Sequence, residues 1–206
     1  MRIYTVPVGP FEMNCYLVAD DHNPQCLVID PGDETQRLID IIEQNNLKPE
    51  RIINTHNHVD HLLRVAEFKK HYKISFHICE KDLPLLESLQ EQALLFGLDE
   101  TEIPVVDSFV KDGDQFNLGD LNYSICETPG HSPGSICILF PGHVFVGDVL
   151  FQDSIGRTDL YQGDYNQLIR SIKEKLLVLP DETIVYPGHG PTTTIGQEKR
   201  YNPFLK

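Results

Sequence analysis

The stretch N-T-H-N-H-V-D-H-L-L, Asn54 to Leu63, sets three histidines and an aspartate within six positions. It follows a short run, Arg51–Asn54, that reads as a strand. In extended backbone, positions i and i+2 point the same way, so the imidazoles of His56 and His58 can reach one point. Asp60 and His61 fall where the chain should turn into a helix. Adjacent residues there point in different directions, so this pair can serve a second point close by. The spacing therefore predicts two cation positions. It is not the H-E-x-x-H pattern of a helical zinc protease. A solvated turn would be the structural use of such a stretch, but turns are built from Gly, Asn, Asp and Ser rather than imidazoles.

Two cations need more ligands, and three candidates stand out downstream. His131 lies in "TPGHSPGS", between strand-like runs. Asp148 follows the strand "HVFVG", and His189 follows "TIVY" in "YPGHGP". All three sit at strand exits in turns rich in Pro and Gly, the layout of a functional site carried on a stiff scaffold. Asp30, in "VIDPG", is placed either to orient a ligating histidine or to cap the following turn. His22, His71, His77 and His143 have no such context and read as ordinary surface or core residues. Imidazole and carboxylate without thiolate suit zinc, with iron or manganese as the other choices.

Outward from this cluster, strand-like runs are Ile3–Val8, Cys15–Ala19, Cys26–Ile29, Ile74–Ile78, Val105–Val106, Asn122–Glu127, Ser135–Phe140, Val144–Gly147 and Thr183–Tyr186. Helical patterns cover Glu34–Asn46, Asp60–Tyr72, Lys81–Phe96 and Tyr165–Leu179. Strands and helices are mixed, without a regular βαβ alternation. That predicts sheets covered by helices in a single α/β sandwich domain over residues 1–206. Residues 80–104 are expected to form either a mobile helical cover or a plain packed helix.

The chain has 206 residues, 40% of them hydrophobic, enough for one sizeable core. Its 17 basic and 31 acidic residues leave a net charge of −14, which disfavours nucleic acid as a partner. No apolar run approaches the ~18–20 residues of a membrane span. The N-terminal stretch alternates like a strand and has no signal-peptide pattern. The five cysteines form no C-x-x-C pair and are expected as buried thiols in a reducing, cytoplasmic setting.

"THNHVDH" resembles the T-H-x-H-x-D-H signature of the metallo-β-lactamase fold superfamily. Asp30, His131, Asp148 and His189 match its remaining motifs in order. The resemblance implies a four-layer αββα sandwich with two divalent metal ions at one edge. By the same resemblance, His56, His58 and His131 hold the first ion, Asp60, His61 and His189 the second, and Asp148 bridges both.

"GDVLFQDSIGRTDLYQGD" and "GHGPTTTIGQEKRYNPF" look like the hydroxyacylglutathione hydrolase (glyoxalase II) group, in its short, single-domain bacterial form. Two features depart from the longer members. A short tail follows His189 where they carry a glutathione-binding helical domain, and Leu63 and Arg64 replace small residues. Arg157, nine residues after Asp148, matches a basic residue that contacts the carboxylate end of the substrate in glutathione-binding members. The other expectation for Arg157 is an ion pair with Asp153 or Asp159.

The implied activity is hydrolysis of a small-molecule thioester by a hydroxide shared between two zinc ions, with Asp60 also orienting the nucleophile. No residue reads as a separate general acid. A thiol with pKa near ~8.5 departs as thiolate without one, whereas an amide nitrogen needs a proton. Persulfide dioxygenases share the fold and a "GRTD" segment, and would use one iron at His56, His131 and Asp148. A lactonase is a third implication. A non-catalytic metal-binding module is disfavoured because no ligand position is lost.

Overall fold

Strand Met13–Ala19 is buried along its whole length, and its alternate residues face opposite ways. Tyr16 and Val18 enter one apolar layer, while Cys15, Leu17 and Ala19 enter another. A strand covered on both faces belongs to the middle of a layered fold. The computed structural model describes Met1–Lys206 and shows those layers.

In chain order the first half runs β1 (Arg2–Val8), β2 (Met13–Ala19), β3 (Gln25–Ile29), α1 (Thr35–Gln44), β4 (Lys48–Ile53), α2 (Val59–Leu62), α3 (Val65–Tyr72), β5 (Ser75–Cys79), α4 (Leu83–Glu87), α5 (Leu89–Leu95) and β6 (Ser108–Val110). The second half runs β7 (Gln115–Leu118), β8 (Leu121–Glu127), β9 (Ile136–Phe140), β10 (His143–Gly147), β11 (Leu150–Phe151), β12 (Ser154–Ile155), α6 (Tyr165–Ser171), β13 (Ile184–Pro187), β14 (Thr193–Thr194) and α7 (Ile195–Tyr201).

The first sheet has the order β1-β2-β3-β4-β5-β6 and the second β14-β13-β10-β9-β8-β7. The first begins as antiparallel hairpins, then becomes parallel from β3 to β6. Parallel neighbours need crossovers, and α1, α3 and α5 supply them. Leu38 and Ile42 of α1, Phe68 of α3, and Leu89 and Ala93 of α5 pack with Cys15, Leu17 and Val28 on one face of the sheet. Its other face brings Tyr16, Leu27 and Ile53 against Ile125, Ile138 and Phe145 of the second sheet. Val144, Val146 and Val185 then meet Leu168, Ile172 and Leu176 beyond it. Three apolar layers between four structural layers make an αββα sandwich.

Several elements differ from the sequence expectation. The helix expected over Asp60–Tyr72 is two helices, broken where the Arg64 amide bonds to Gly32 O at 2.8 Å. The pattern over Lys81–Phe96 breaks at Ser88, whose hydroxyl donates back to Leu85 O at 3.0 Å. Its apolar residues Leu86, Leu89 and Ala93 are packed into the core. The last helical pattern loosens after Ser171 into a π-turn over Ile172–Leu176. Val105–Val106 is no strand. Val105 is exposed, and pairing to β5 starts only at Ser108. No helix is long and apolar enough to cross a membrane.

Candidate metal centre

The loops that leave β3, β4, β10 and β13, and the turn joining β8 to β9, converge at one edge of the sandwich. They bring all seven expected ligand side chains together. His56, His58 and His131 form one group of donors, and Asp60, His61 and His189 a second. A third group, His56, His61 and Asp148, lies between them. Within each group the ligand atoms lie within 4.8 Å of one another. Asp148 faces both sides, 3.8 Å from His131 Nε2 and 3.5 Å from both His61 Nε2 and His189 Nε2.

The first three histidines meet nitrogen to nitrogen. His131 Nε2 is 2.9 Å from His58 Nδ1 and 3.1 Å from His56 Nε2. Meanwhile His61 Nε2 and Asp148 Oδ1, 3.5 Å apart, are buried without a hydrogen-bond partner. Buried polar atoms are normally satisfied, and a cation between these two would satisfy both. The donor set fits divalent metal ions.

Each ring is also held by its far nitrogen. His131 Nδ1 is 2.8 Å from Arg157 O, and His189 Nδ1 is 3.1 Å from Phe11 O. A carbonyl only accepts, so these nitrogens carry the proton and leave Nε2 free to ligate. Asp30 fixes two more rings. Its carboxylate accepts from the Thr55 amide at 2.7 Å, the Thr55 hydroxyl at 2.6 Å and His61 Nδ1 at 2.9 Å. The Thr55 hydroxyl, its proton committed to Asp30, accepts in turn from His56 Nδ1 at 3.2 Å. One carboxylate thus turns the lone pairs of both His56 and His61 toward the centre.

Electrostatics follow the same division. Burial, reinforced by His61 and its other imidazole neighbours, pushes His56 well below the usual histidine range. Burial, reinforced by His131, pushes His58 down to about 3. Burial also lowers His131. For His61, burial opposes the charge, but the carboxylates of Asp60 and Asp30 outweigh it and raise the ring well above that range. Burial likewise opposes ionisation of Asp148, yet the bond and charge of His61 hold it below the ordinary carboxylate range. The imidazoles of the first group are thus held neutral and ready to ligate, while the carboxylates beside His61 and His189 favour a proton on those rings that a cation would have to displace.

Asp82 is a contributor that the sequence reading missed. Fully buried just after β5, it accepts from the Asn57 amide at 3.0 Å, the Ser132 hydroxyl at 2.8 Å and the Gly134 amide at 2.5 Å. It therefore ties the loop of His56 and His58 to the loop of His131. A Cβ on Gly134 would lie 2.7 Å from Asp82 Cγ, so only glycine admits the contact. The strand-exit position that marked His131, Asp148 and His189 also marks Asp82.

Arg157 stands at the rim, its guanidinium paired with both oxygens of Asp159 at 2.7 and 2.8 Å. Beside the centre opens a cavity of about 660 Å³, walled by α4, α5, the β1–β2 turn and the segment after β11. Asp60 and His189 keep partial exposure toward it, while His61 is fully enclosed.

A sandwich with these seven converging donors is the framework of a metallo-hydrolase, and residues 8–189 match the Metallo-beta-lactamase superfamily. The chain belongs to that superfamily. Over its full length it is 44% identical to hydroxyacylglutathione hydrolase GloC of Haemophilus influenzae, covering 98% of that protein. Two solved structures are similar throughout. BLEG-1 B3 metallo-beta-lactamase is 37% identical, with a TM-score of 0.93 and full coverage of both chains. TTHA1623 in a di-iron-bound form is 38% identical, with a TM-score of 0.90 over 98% of this chain and all of that one.

Proposed function

We propose that this metallo-hydrolase cleaves thioesters at a dinuclear centre. The observation that carries the reading is the pair of donor groups with Asp148 facing both. In this reading His56, His58 and His131 hold one ion, Asp60, His61 and His189 hold the other, and Asp148 bridges them. Zinc is the preferred metal from the ligand chemistry, and similarity to a di-iron protein keeps iron in the comparison.

When bound, two divalent ions lower the pKa of water toward ~7 and polarise a carbonyl oxygen. The chain supplies the rest. Asp60, half-open to the cavity and bonded to His189 at 3.0 Å, is positioned to accept a proton from the attacking water. The C–O bond forms first, the carbonyl electron pair moving onto oxygen, and as that pair returns the C–S bond breaks and sulfur leaves as thiolate. The histidines at the cavity, His58, His131 and His189, all belong to the donor groups, which leaves none over as a proton donor and suits that leaving group rather than an amine.

Metal analysis of the purified protein, followed by assays on thioesters, lactones and persulfides, tests this. Two ions per chain with thioester turnover are expected, and His58→Ala should lose metal and at least a hundredfold in kcat/KM while keeping its circular dichroism. Full activity in that variant with unchanged metal content refutes the assignment. One iron per chain with oxygen uptake on a persulfide replaces the hydrolase by a dioxygenase.

A further inference from the structure

The cavity beside the centre is built for an apolar group. Phe11, Leu85, Leu95, Phe96, Ile155 and Leu160 form much of its wall. Phe11, from the β1–β2 turn, meets Phe96, just beyond α5, edge to face with centroids 5.7 Å apart. The two rings join across one side of the opening.

Of the polar side chains in that wall outside the donor groups, Gln92, Ser88 and Arg157 already have partners, and Ser154 and Tyr161 carry no charge. Gln92 accepts from the Val59 amide at 3.0 Å and donates to Leu85 O at 2.8 Å and Asn57 O at 3.3 Å. Ser88 donates to Leu85 O. Arg157, the one Lys or Arg lining the cavity, has its charge paired with the Asp159 carboxylate. Glutathione carries two carboxylates and an ammonium. A thioester of it would find no free cation here, on a chain of net charge −14.

We infer that the cavity binds the acyl portion of the substrate, and that the preferred substrates are thioesters of uncharged, apolar acyl groups of medium length. This deepens the thioester reading and rests on it. The volume is in the range that encloses a small organic ligand. Burying each methylene of an acyl chain should improve kcat/KM by up to about fourfold. The terminal Leu94–Phe96 stretch leaves Leu95 78% exposed, so apolar area remains there for a ligand to cover.

The test uses the metal-loaded protein and a series of acyl thioesters of one neutral thiol, N-acetylcysteamine, beside S-lactoylglutathione. Between acetyl and hexanoyl, kcat/KM should rise tenfold or more, and hexanoyl should exceed lactoylglutathione. Leu95→Asp, at an exposed position that tolerates charge, should lower the hexanoyl-to-acetyl ratio at least fivefold. A flat acyl series, or preference for lactoylglutathione, overturns the inference while leaving thioester hydrolysis intact. Non-hydrolysable ketone analogues, with CH2 in place of sulfur, separate the two ideas by calorimetry. Affinity that rises with chain length supports the cavity assignment even where no thioester is turned over, which would overturn the reaction instead.

Discussion

Replacing Asp30 by Asn tests how the centre is tuned, because the change keeps volume and removes only charge and one acceptor. In the native arrangement both oxygens of Asp30 accept. In Asp30→Asn the remaining oxygen can keep the Thr55 amide. The new NH2 then faces the Thr55 hydroxyl and His61 Nδ1, and both must become acceptors. The hydroxyl proton has one other neighbour, His56 Nδ1 at 3.2 Å, which must accept it. Both imidazoles are thereby pushed to carry their proton on Nε2, the nitrogen that faces the ligand groups. Turning the amide the other way orphans the Thr55 N–H, at a cost of about 1–3 kcal/mol.

Loss of such an outer partner costs about 10–100-fold in metal affinity. His61 belongs to the second donor group and His56 to the first, so both ions should weaken, each by about 1.4–2.8 kcal/mol. Replacing charge-assisted bonds by neutral ones should cost about 1–2 kcal/mol of stability, a Tm drop of about 2–8 °C for a chain of this size. Competition with a chelating indicator measures both affinities. Nitrogen-detected NMR of the metal-free protein reads the tautomer of His56, the ring that burial keeps neutral. Affinities within threefold of wild type, with the proton still on His56 Nδ1, would refute the relay.

Gly188 admits no side chain, since a Cβ there would lie 2.1 Å from Asp148 Oδ1 and 2.8 Å from His61 Cε1. Gly188→Ala should therefore lower metal affinity tenfold or more by displacing two ligands, at about 1–3 kcal/mol of strain; metal content equal to wild type after dialysis counts against it. Asp82 gives a pH dependence of definite sign. Burial raises its carboxyl to about 6, against the bonds from Ser132, Gly134 and Asn57. The folded chain then binds more protons than the unfolded one between about pH 4 and 6, so the stability present below that window is lost as pH rises through it. The interval is worth about 3 kcal/mol, and Asp82→Asn should lack it. Urea denaturation of the metal-free proteins should show the variant gaining on wild type by about that amount from pH 4 to 7; a gain on acidification instead would refute the dominance of burial.

The ligand set was legible because its members share a local signature, a histidine or aspartate at the exit of a readable strand. Asp30 was legible as one of two possibilities, and its bonds to Thr55 and His61 decide for orientation. Thr55 and Asp82 were not singled out, since their meaning lies in partners 25 to 52 positions away. The helix break at Arg64 escaped for the same reason, while the one at Ser88 turns on a local bond to Leu85 that periodicity does not show. Periodicity continues through both, while the bond from Arg64 to Gly32 is a tertiary event. The apolar cavity is assembled from four separate segments, none of which is unusual alone.

The two sheets are fastened beside the centre by bonds that involve no ligand side chain. On one flank, the Tyr16 hydroxyl donates to Pro187 O at 2.6 Å, and the Asn14 side chain donates to Pro187 O and Gly190 O at 3.1 and 2.9 Å. The Asn14 amide adds Gly188 O at 2.7 Å. On the other flank, the Ile136 amide bonds to Thr55 O at 2.9 Å, and Asp82 holds Ser132 and Gly134. The first flank fixes the turn of His189 to the first sheet, and the second fixes the turn of His131 to the loop of His56 and His58. Each donor group takes ligands from both sheets, so a cation could in principle have been the clasp. The polypeptide itself supplies a clasp. Binding energy then need not be diverted into docking the sheets, and chelation should reduce stability by mass action without unfolding the sandwich.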